Sequence, residues 1–179
     1  MSSRLIVNSI RHTGASSDAI TLDSAGKCSF PNGGAGKILQ VTQGTSTTED
    51  SFTSASFVAS SLSATITPTA ASSKILINAS FMVDTGAAGR QIYVALFRSI
   101  NGGTYTNLSG GTNSAFMATY AGNSRLIEQS NILRLDTPSY SVGNSIVYKL
   151  YARSESANGL VRINSQGVEN IMVLQEVAA

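Results

Sequence analysis

Few residues in this chain are equipped for covalent or metal chemistry, and their spacing decides what each could do. Gly33-Gly34-Ala35-Gly36-Lys37 has the glycine-then-lysine order with which a phosphate-binding loop holds an anion on its backbone amides. That motif also needs Ser or Thr after the lysine and a helix beyond it, whereas Ile38 follows here and opens a strand pattern. The dinucleotide fingerprint fails too, for want of its third glycine. The stretch reads as a flexible linker, with a nucleotide role as the weaker alternative.

A nucleophilic triad needs a base, and His12 is the only histidine. No Gly-x-Ser-x-Gly elbow is present. His12 reads as a solvated loop residue, the alternatives being a pH-sensitive contact or a metal ligand contributed three times around an axis. Cys28 alternates with Phe30 across Ser29, which suggests a small buried apolar residue. As the only cysteine it excludes an intrachain disulfide framework and a Cys-based zinc site.

Carboxylates are equally sparse. Glu49 and Asp50 adjoin in a Thr/Ser-rich loop, while Asp84, Glu128, Asp136 and Glu155 stand singly. Glycoside cleavage needs two carboxylates across one cleft, and turn or strand-edge roles account for these residues without it. No Asp-rich calcium loop is present. No catalytic, cofactor-binding or metal-binding residue is therefore assigned, and the expectation is a protein that is not an enzyme.

What remain are small neutral polar side chains and the tyrosines Tyr93, Tyr105, Tyr120, Tyr140, Tyr148 and Tyr151. An amphipathic ring suits sugar stacking and subunit packing alike. Those in strands are expected in a core or an interface. Tyr105, beside the Asn101-Gly102-Gly103 turn, is the one expected to be exposed.

Charge narrows the partners. Only 12% of the 179 residues are charged and the net charge is +2, against the ~25% charged of ordinary soluble domains. The basic residues are scattered, with no stripe to track phosphates, so neither nucleic acid nor a membrane surface is an expected partner. No apolar run approaches the ~18 residues of a membrane span, and residues 1–30 carry no export signal. Synthesis in the cytoplasm without membrane insertion is expected.

The elements that must position these residues are strands. Ser73 to Val83 alternates, placing Ile75, Ile77, Ala79, Phe81 and Val83 on one face and Lys74, Asn78 and Ser80 on the other. Gln91 to Phe97 is apolar on both faces, as in a central strand covered by another sheet or by a neighbouring subunit. Further strand patterns occupy 37–43, 63–67, 105–107, 115–120, 126–135, 145–153, 159–164 and 170–177, separated by Gly, Asn and Pro turns. Many strands, short turns and no helical period predict an all-β, antiparallel sandwich of jelly-roll type.

Three parts follow from the breakers. Residues 1–30 hold an extended run, Arg4 to Ile10, and a hairpin of Ala19 to Leu22 with Lys27 to Phe30 around Asp23-Ser24-Ala25-Gly26. Residues 31–36 are a Pro/Gly linker, and 37–179 form the sandwich. A lone two-stranded hairpin is marginal in water. The opening segment is therefore expected to need a partner.

Arg4-Leu5-Ile6-Val7-Asn8-Ser9-Ile10-Arg11-His12-Thr13-Gly14, with Asp18-Ala19-Ile20-Thr21-Leu22-Asp23 and Gly26, resembles the N-terminal segment of fibre-like virion proteins of tailed bacteriophages, especially marine and cyanobacterial phages. Gly36-Lys37-Ile38-Leu39-Gln40-Val41, Leu62 to Pro68, Ser72 to Ile77, Val147-Tyr148-Lys149-Leu150 and Met172 to Glu176 resemble their C-terminal sandwich modules. The resemblance implies a homotrimer joined to the virion through its N-terminal segment, the expected docking partner being a tail or baseplate component or the major capsid protein. Arg4, Leu5, Ile6, Val7, Ile10, Arg11 and His12 are the attachment residues it implies.

The leading functional expectation is a short tail-fibre-type appendage whose sandwich meets host-surface glycan. Its candidate receptor contacts are Asn101, Gly102, Gly103, Thr104 and Tyr105 in one turn and Gly122 and Asn123 in another, both expected at the distal end. A capsid decoration or head-fibre protein, clamped over major-capsid subunits, is the alternative. A polysaccharide depolymerase is the third and weakest, since the chain is poor in acids and lacks solenoid repeats.

Overall fold

A computed structural model describes residues 7–26, 28–29, 37–157 and 159–179. The chain divides into two compact units, Met1–Lys37 and Ile38–Ala179. Arg4, Leu5 and Ile6, and the linker at 31–36, lie outside the described residues.

In the first unit, β1 (Ser9–Ile10), β2 (Ile20–Leu22) and β3 (Cys28–Ser29) form a three-stranded antiparallel sheet. Thr21 pairs with both Ser9 and Ser29, and Leu22 pairs with Cys28. The β2–β3 turn closes as its residues demand: Gly26 N–H donates to the Asp23 carbonyl at 2.9 Å and Ala25 N–H to Asp23 Oδ1 at 2.9 Å, with Gly26 at φ +78°. Ser9 and Ile10, at the end of the expected extended run, thus contribute a third strand to the hairpin. Cys28 is exposed rather than buried. Among the described residues of this unit, strands this short carry no second layer to bury it.

The second unit is a sandwich of two antiparallel sheets with no helix among the described residues. Its strands are β4 (Ile38–Ser46), β5 (Asp50–Phe52), β6 (Val58–Ile66), β7 (Lys74–Asp84), β8 (Gln91–Ile100), β9 (Thr106–Asn107), β10 (Met117–Tyr120), β11 (Ile127–Asp136), β12 (Ile146–Ser154), β13 (Val161–Ile163) and β14 (Asn170–Val177). Three staves are broken in two: β14 and β13 flank the same edge of β7, β4 and β5 continue outward from them, and β9 and β10 share one edge of β8. Counted as staves, the pairing is nested. First pairs with last (β4/β5 with β13/β14), then β6 with β12, β7 with β11, and β8 with β9/β10. That nesting is the jelly-roll topology.

The core lies between the sheets. Ile75, Ile77, Ala79, Phe81 and Val83 of β7 are fully buried, as their alternation predicts. They face Leu62 and Ile66 of β6, Ile92, Val94 and Leu96 of β8, and Ile146, Tyr148 and Leu150 of β12. Each such large apolar side chain contributes about 2 kcal/mol of transfer free energy. The core therefore settles which face of every strand points inward.

One edge of the sandwich is sealed by inward side chains of β4 that donate to the backbone of β6 and of the residue that follows it. Thr42 Oγ1 reaches the Thr65 carbonyl at 2.9 Å and Gln40 Nε2 the Thr67 carbonyl at 2.7 Å. The close approach requires Gly44, because a Cβ there would lie 1.9 Å from the Ser63 carbonyl oxygen. Two elements have no counterpart in the sequence reading, namely β5 and the first half of β6. Both are serine-rich and pair only because β13 and β12 offer them an edge.

Candidate functional site

The outer face of the β6–β12–β8–β10 sheet carries a line of aromatic rings. Register sets Tyr93, Ala95 and Phe97 of β8 outward, opposite Arg153, Tyr151 and Lys149 of β12. Tyr151 stacks on Phe97 with ring centroids 4.0 Å apart and planes at 26°. Phe57, just ahead of β6, meets Phe97 edge-on at 5.9 Å, and Tyr105 meets Tyr151 at 5.8 Å. The Arg153 guanidinium closes the line, 5.3 Å from the Phe57 ring centre and 3.9 Å from that of Tyr93. Burial pushes the Tyr151 phenol above its ordinary pKa, and the neighbouring Tyr105 adds to it.

At the Tyr93 end the line runs into a polar cleft. Tyr93 donates its hydroxyl to Gln91 Oε1 at 3.1 Å, and Gln91 lines a cavity of about 200 Å³ with Ala88, Gly89, Arg90, Ser154, Glu155 and Ser156. This is below the roughly 300 Å³ at which drug-sized ligands are enclosed. It suits one small polar group rather than a whole ligand. Ring faces, an arginine and amides in a row can stack on and hydrogen-bond a neutral polar chain such as a glycan.

The two nominated turns do not share an end. Asn101 and Gly102, at φ 51° and 74°, form a type I′ turn closed by Gly103 N–H donating to the Ile100 carbonyl at 3.0 Å, after the last residue of β8. Gly122 and Asn123 lie beside the first, where Gly89 N–H donates to the carbonyls of Ala121 at 2.7 Å and Gly122 at 3.0 Å. A ten-residue strand separates them, about 30 Å at 3.3 Å per residue. The aromatic line lies within that interval. Asn101 to Thr104, Gly122 and Asn123 are exposed, whereas Tyr105 is half-buried, packed near Tyr151.

In the first unit Val7 is half-buried and Ile10, Arg11 and His12 are exposed. Gly14 N–H donates to His12 Nδ1 at 3.2 Å. Ile10 and Leu22 leave 51% and 40% of their surface to water.

The larger acidic constellations are structural. Asp84 is fully buried, taking Arg125 Nε on Oδ1 at 2.8 Å and Arg162 Nη1 on Oδ2 at 3.1 Å, while Arg162 Nε also meets Glu49 at 3.1 Å. Burial opposes its charge, but Arg125 and the Gly86 amide outweigh that and hold the carboxyl well below the ordinary range. Between the sheets Asp136 Oδ2 accepts from Tyr148 Oη and Arg98 Nη1, both at 2.7 Å. Burial, then the Asp136 charge, raises the Tyr148 phenol far above its ordinary value.

Glu176, also fully buried, receives Gln40 Nε2 at 2.7 Å and the Thr69 and Ala70 amides at 3.0 Å. Burial works against its ionisation, and these donors lower its pKa in spite of it. Among the described residues, no three His, Cys, Asp or Glu side chains group so as to hold a metal. Among the same residues there is no helix long and apolar enough to cross a membrane.

Phe57, Phe97 and Arg153 were not singled out from the sequence. The available signal was the apolar outer face of 91–97, which needed a cover, together with the alternation Val147, Lys149, Tyr151, Arg153 on the strand that supplies it. No protein-family model matches this sequence, and no curated protein is significantly similar to it.

Proposed function

We propose that the protein is a non-enzymatic virion structural protein of a tailed bacteriophage, a short trimeric tail-fibre-type appendage that docks through its N-terminal unit and offers its jelly roll to host-surface glycan. The observation that carries the binding half is the aromatic and arginine line from Tyr105 to Tyr93, ending at a polar cleft. The attachment half is supported by the first unit, which exposes Ile10 and Leu22 on three short strands among its described residues. The virion assignment rests on the resemblance of both parts to phage fibre proteins.

Binding is tested with the full chain against lipopolysaccharides and capsular polysaccharides from a bacterial panel, comparing the wild type with Phe97→Ala and Tyr151→Ala. Saturable binding weakened at least tenfold by both variants is expected. Binding to none of the panel, or binding indifferent to both substitutions, overturns the aromatic face as the receptor site. A reconstruction of the particle tests location: density at the tail is expected, and density spread over the head replaces this role with capsid decoration. Release of reducing ends from a polysaccharide by the purified chain would overturn the non-enzymatic reading.

A further inference from the structure

The two outer faces of the jelly roll differ in kind. On the β4–β14–β7–β11 sheet, register sets Val41, Leu76 and Leu135 in one cross-strand row and Val173 and Leu133 in the next. Leu133 is 65% exposed and Val41 56%. Between Lys74 at one end of β7 and Asp84 at the other, every outward position of the four strands is apolar, amide or hydroxyl. Asp84 itself lies under Arg125 and Arg162. An uncharged field with apolar rows, bounded by a charged rim, has the anatomy of an interface.

We infer that this face is where copies of the chain meet, the occupant of each face being a second copy; the inference rests on the multi-copy part of the proposed function and names the surface that serves it. Charge selects the occupant and the face. Uncharged fields turned towards a common threefold axis set no like charges opposite one another, whereas the outer face of the other sheet would bring Lys149 and Arg153 of each copy together. Four polar members of the field are paired with one another within the chain: Gln129 Nε2 donates to Ser80 Oγ and Asn131 Nδ2 to Asn78 Oδ1, both at 2.7 Å. Covering them therefore strands few hydrogen bonds.

Size agrees. Four strands about 4.8 Å apart and roughly nine residues long give a projected area on the order of 600 Å², and a rough side-chain surface brings this near the ~800 Å² that one chain buries in a standard interface, shared in a trimer between its two neighbours. Association through this sheet leaves the aromatic line on the opposite side, open to a ligand.

The test is the mass of the full chain in solution, by sedimentation or light scattering, for the wild type, Leu133→Lys, Val41→Lys and, on the opposite outer face, Thr65→Lys. All three positions are exposed, and far-UV circular dichroism checks that the sheets persist. The wild type and Thr65→Lys are expected at three times the single-chain mass, and Leu133→Lys and Val41→Lys at the single-chain mass. Retention of the wild-type mass by both face variants overturns the inference. If those two keep that mass and Ile10→Asp alone reduces it, association runs through the first unit: the surface is then wrong while the multi-copy reading stands. A wild type of single-chain mass overturns both. Polysaccharide binding by folded Leu133→Lys, measured on the same sample, reads the aromatic face independently of either result.

Discussion

The guanidinium of Arg153 lies 3.9 Å from the centre of the Tyr93 ring, roofing a strand whose sequence is apolar on both sides. Ile92, Val94 and Leu96 of β8 enter the core, and Tyr93, Ala95 and Phe97 are covered from outside by side chains of neighbouring elements of the same chain. The double-sided pattern is thus accounted for without a neighbouring subunit. On the outer face of the other sheet Leu133 and Val41 leave 65% and 56% of their surface exposed.

Replacing Arg153 by Ala removes both a cation–π contact and a hydrocarbon cover. A loss of about 1–2 kcal/mol in urea unfolding is expected, with Arg153→Met recovering the packing part. The chain has no tryptophan, so its fluorescence comes from six tyrosines, three of which, Tyr93, Tyr105 and Tyr151, belong to the aromatic line. Stability unchanged in Arg153→Ala would mean the contact contributes nothing.

Gly44→Ala places a methyl 1.9 Å from the Ser63 carbonyl. Backbone cannot swing aside as a flexible side chain does, so β4 and β6 must separate. A destabilisation of about 3 kcal/mol is expected, visible as a lower denaturation midpoint. The same substitution at Gly110, where nothing lies within reach of a Cβ, serves as the control.

Asp136→Asn leaves the Arg98 guanidinium, only 18% exposed, without its carboxylate. The cost expected is about 3 kcal/mol, since breaking one partner of a buried pair strands the other. Tyr148→Phe removes one hydrogen bond and costs about 1 kcal/mol. In alkaline absorbance titration the Tyr148 phenol is expected to ionise only when the chain unfolds, because burial and Asp136 both hold its proton.

Acid destabilises the fold through Glu176 and Asp84. Both carboxyls have lowered pKa values in the folded chain, so the unfolded chain takes up their protons first as pH falls. The stability they supply is complete above about pH 4.5, the ordinary Glu value, and is lost as pH drops through the folded values. Glu176→Gln sets an amide against the donors of Thr69 and Ala70. It is expected to cost about 2 kcal/mol at neutral pH and to flatten the decline below pH 4.5 relative to the wild type. Parallel pH profiles for the two proteins would remove Glu176 as the cause.

Alternation made much of the fold legible. Ile75 to Val83 faces inward residue by residue as read, and the strands at 91–97, 126–135, 145–153 and 170–177 are found within a few positions of their expected bounds. The serine-rich strands β5 and the start of β6 were not legible, because their pairing comes from edges supplied by residues far along the chain. Of the site, Tyr105 was marked from its turn, while Phe57, Phe97 and Arg153 were not. A ring contact between β8, β12 and the segment before β6 has no local signature.

The sequence by itself determined that this is an all-β chain, where most strands run, which residues of each alternating strand share a face, and that its described turns at Asn101-Gly102 and Asp23 to Gly26 are tight. Those are local properties, set by the two-residue period of a strand and by the φ each turn demands. Only the tertiary structure decided which apolar face is interior and which lies open. It also set the nominated turns at opposite ends of β8 and joined the scattered aromatic residues into one line. Nested jelly-roll pairing brings positions a hundred residues apart into register, and no window of the sequence contains both partners.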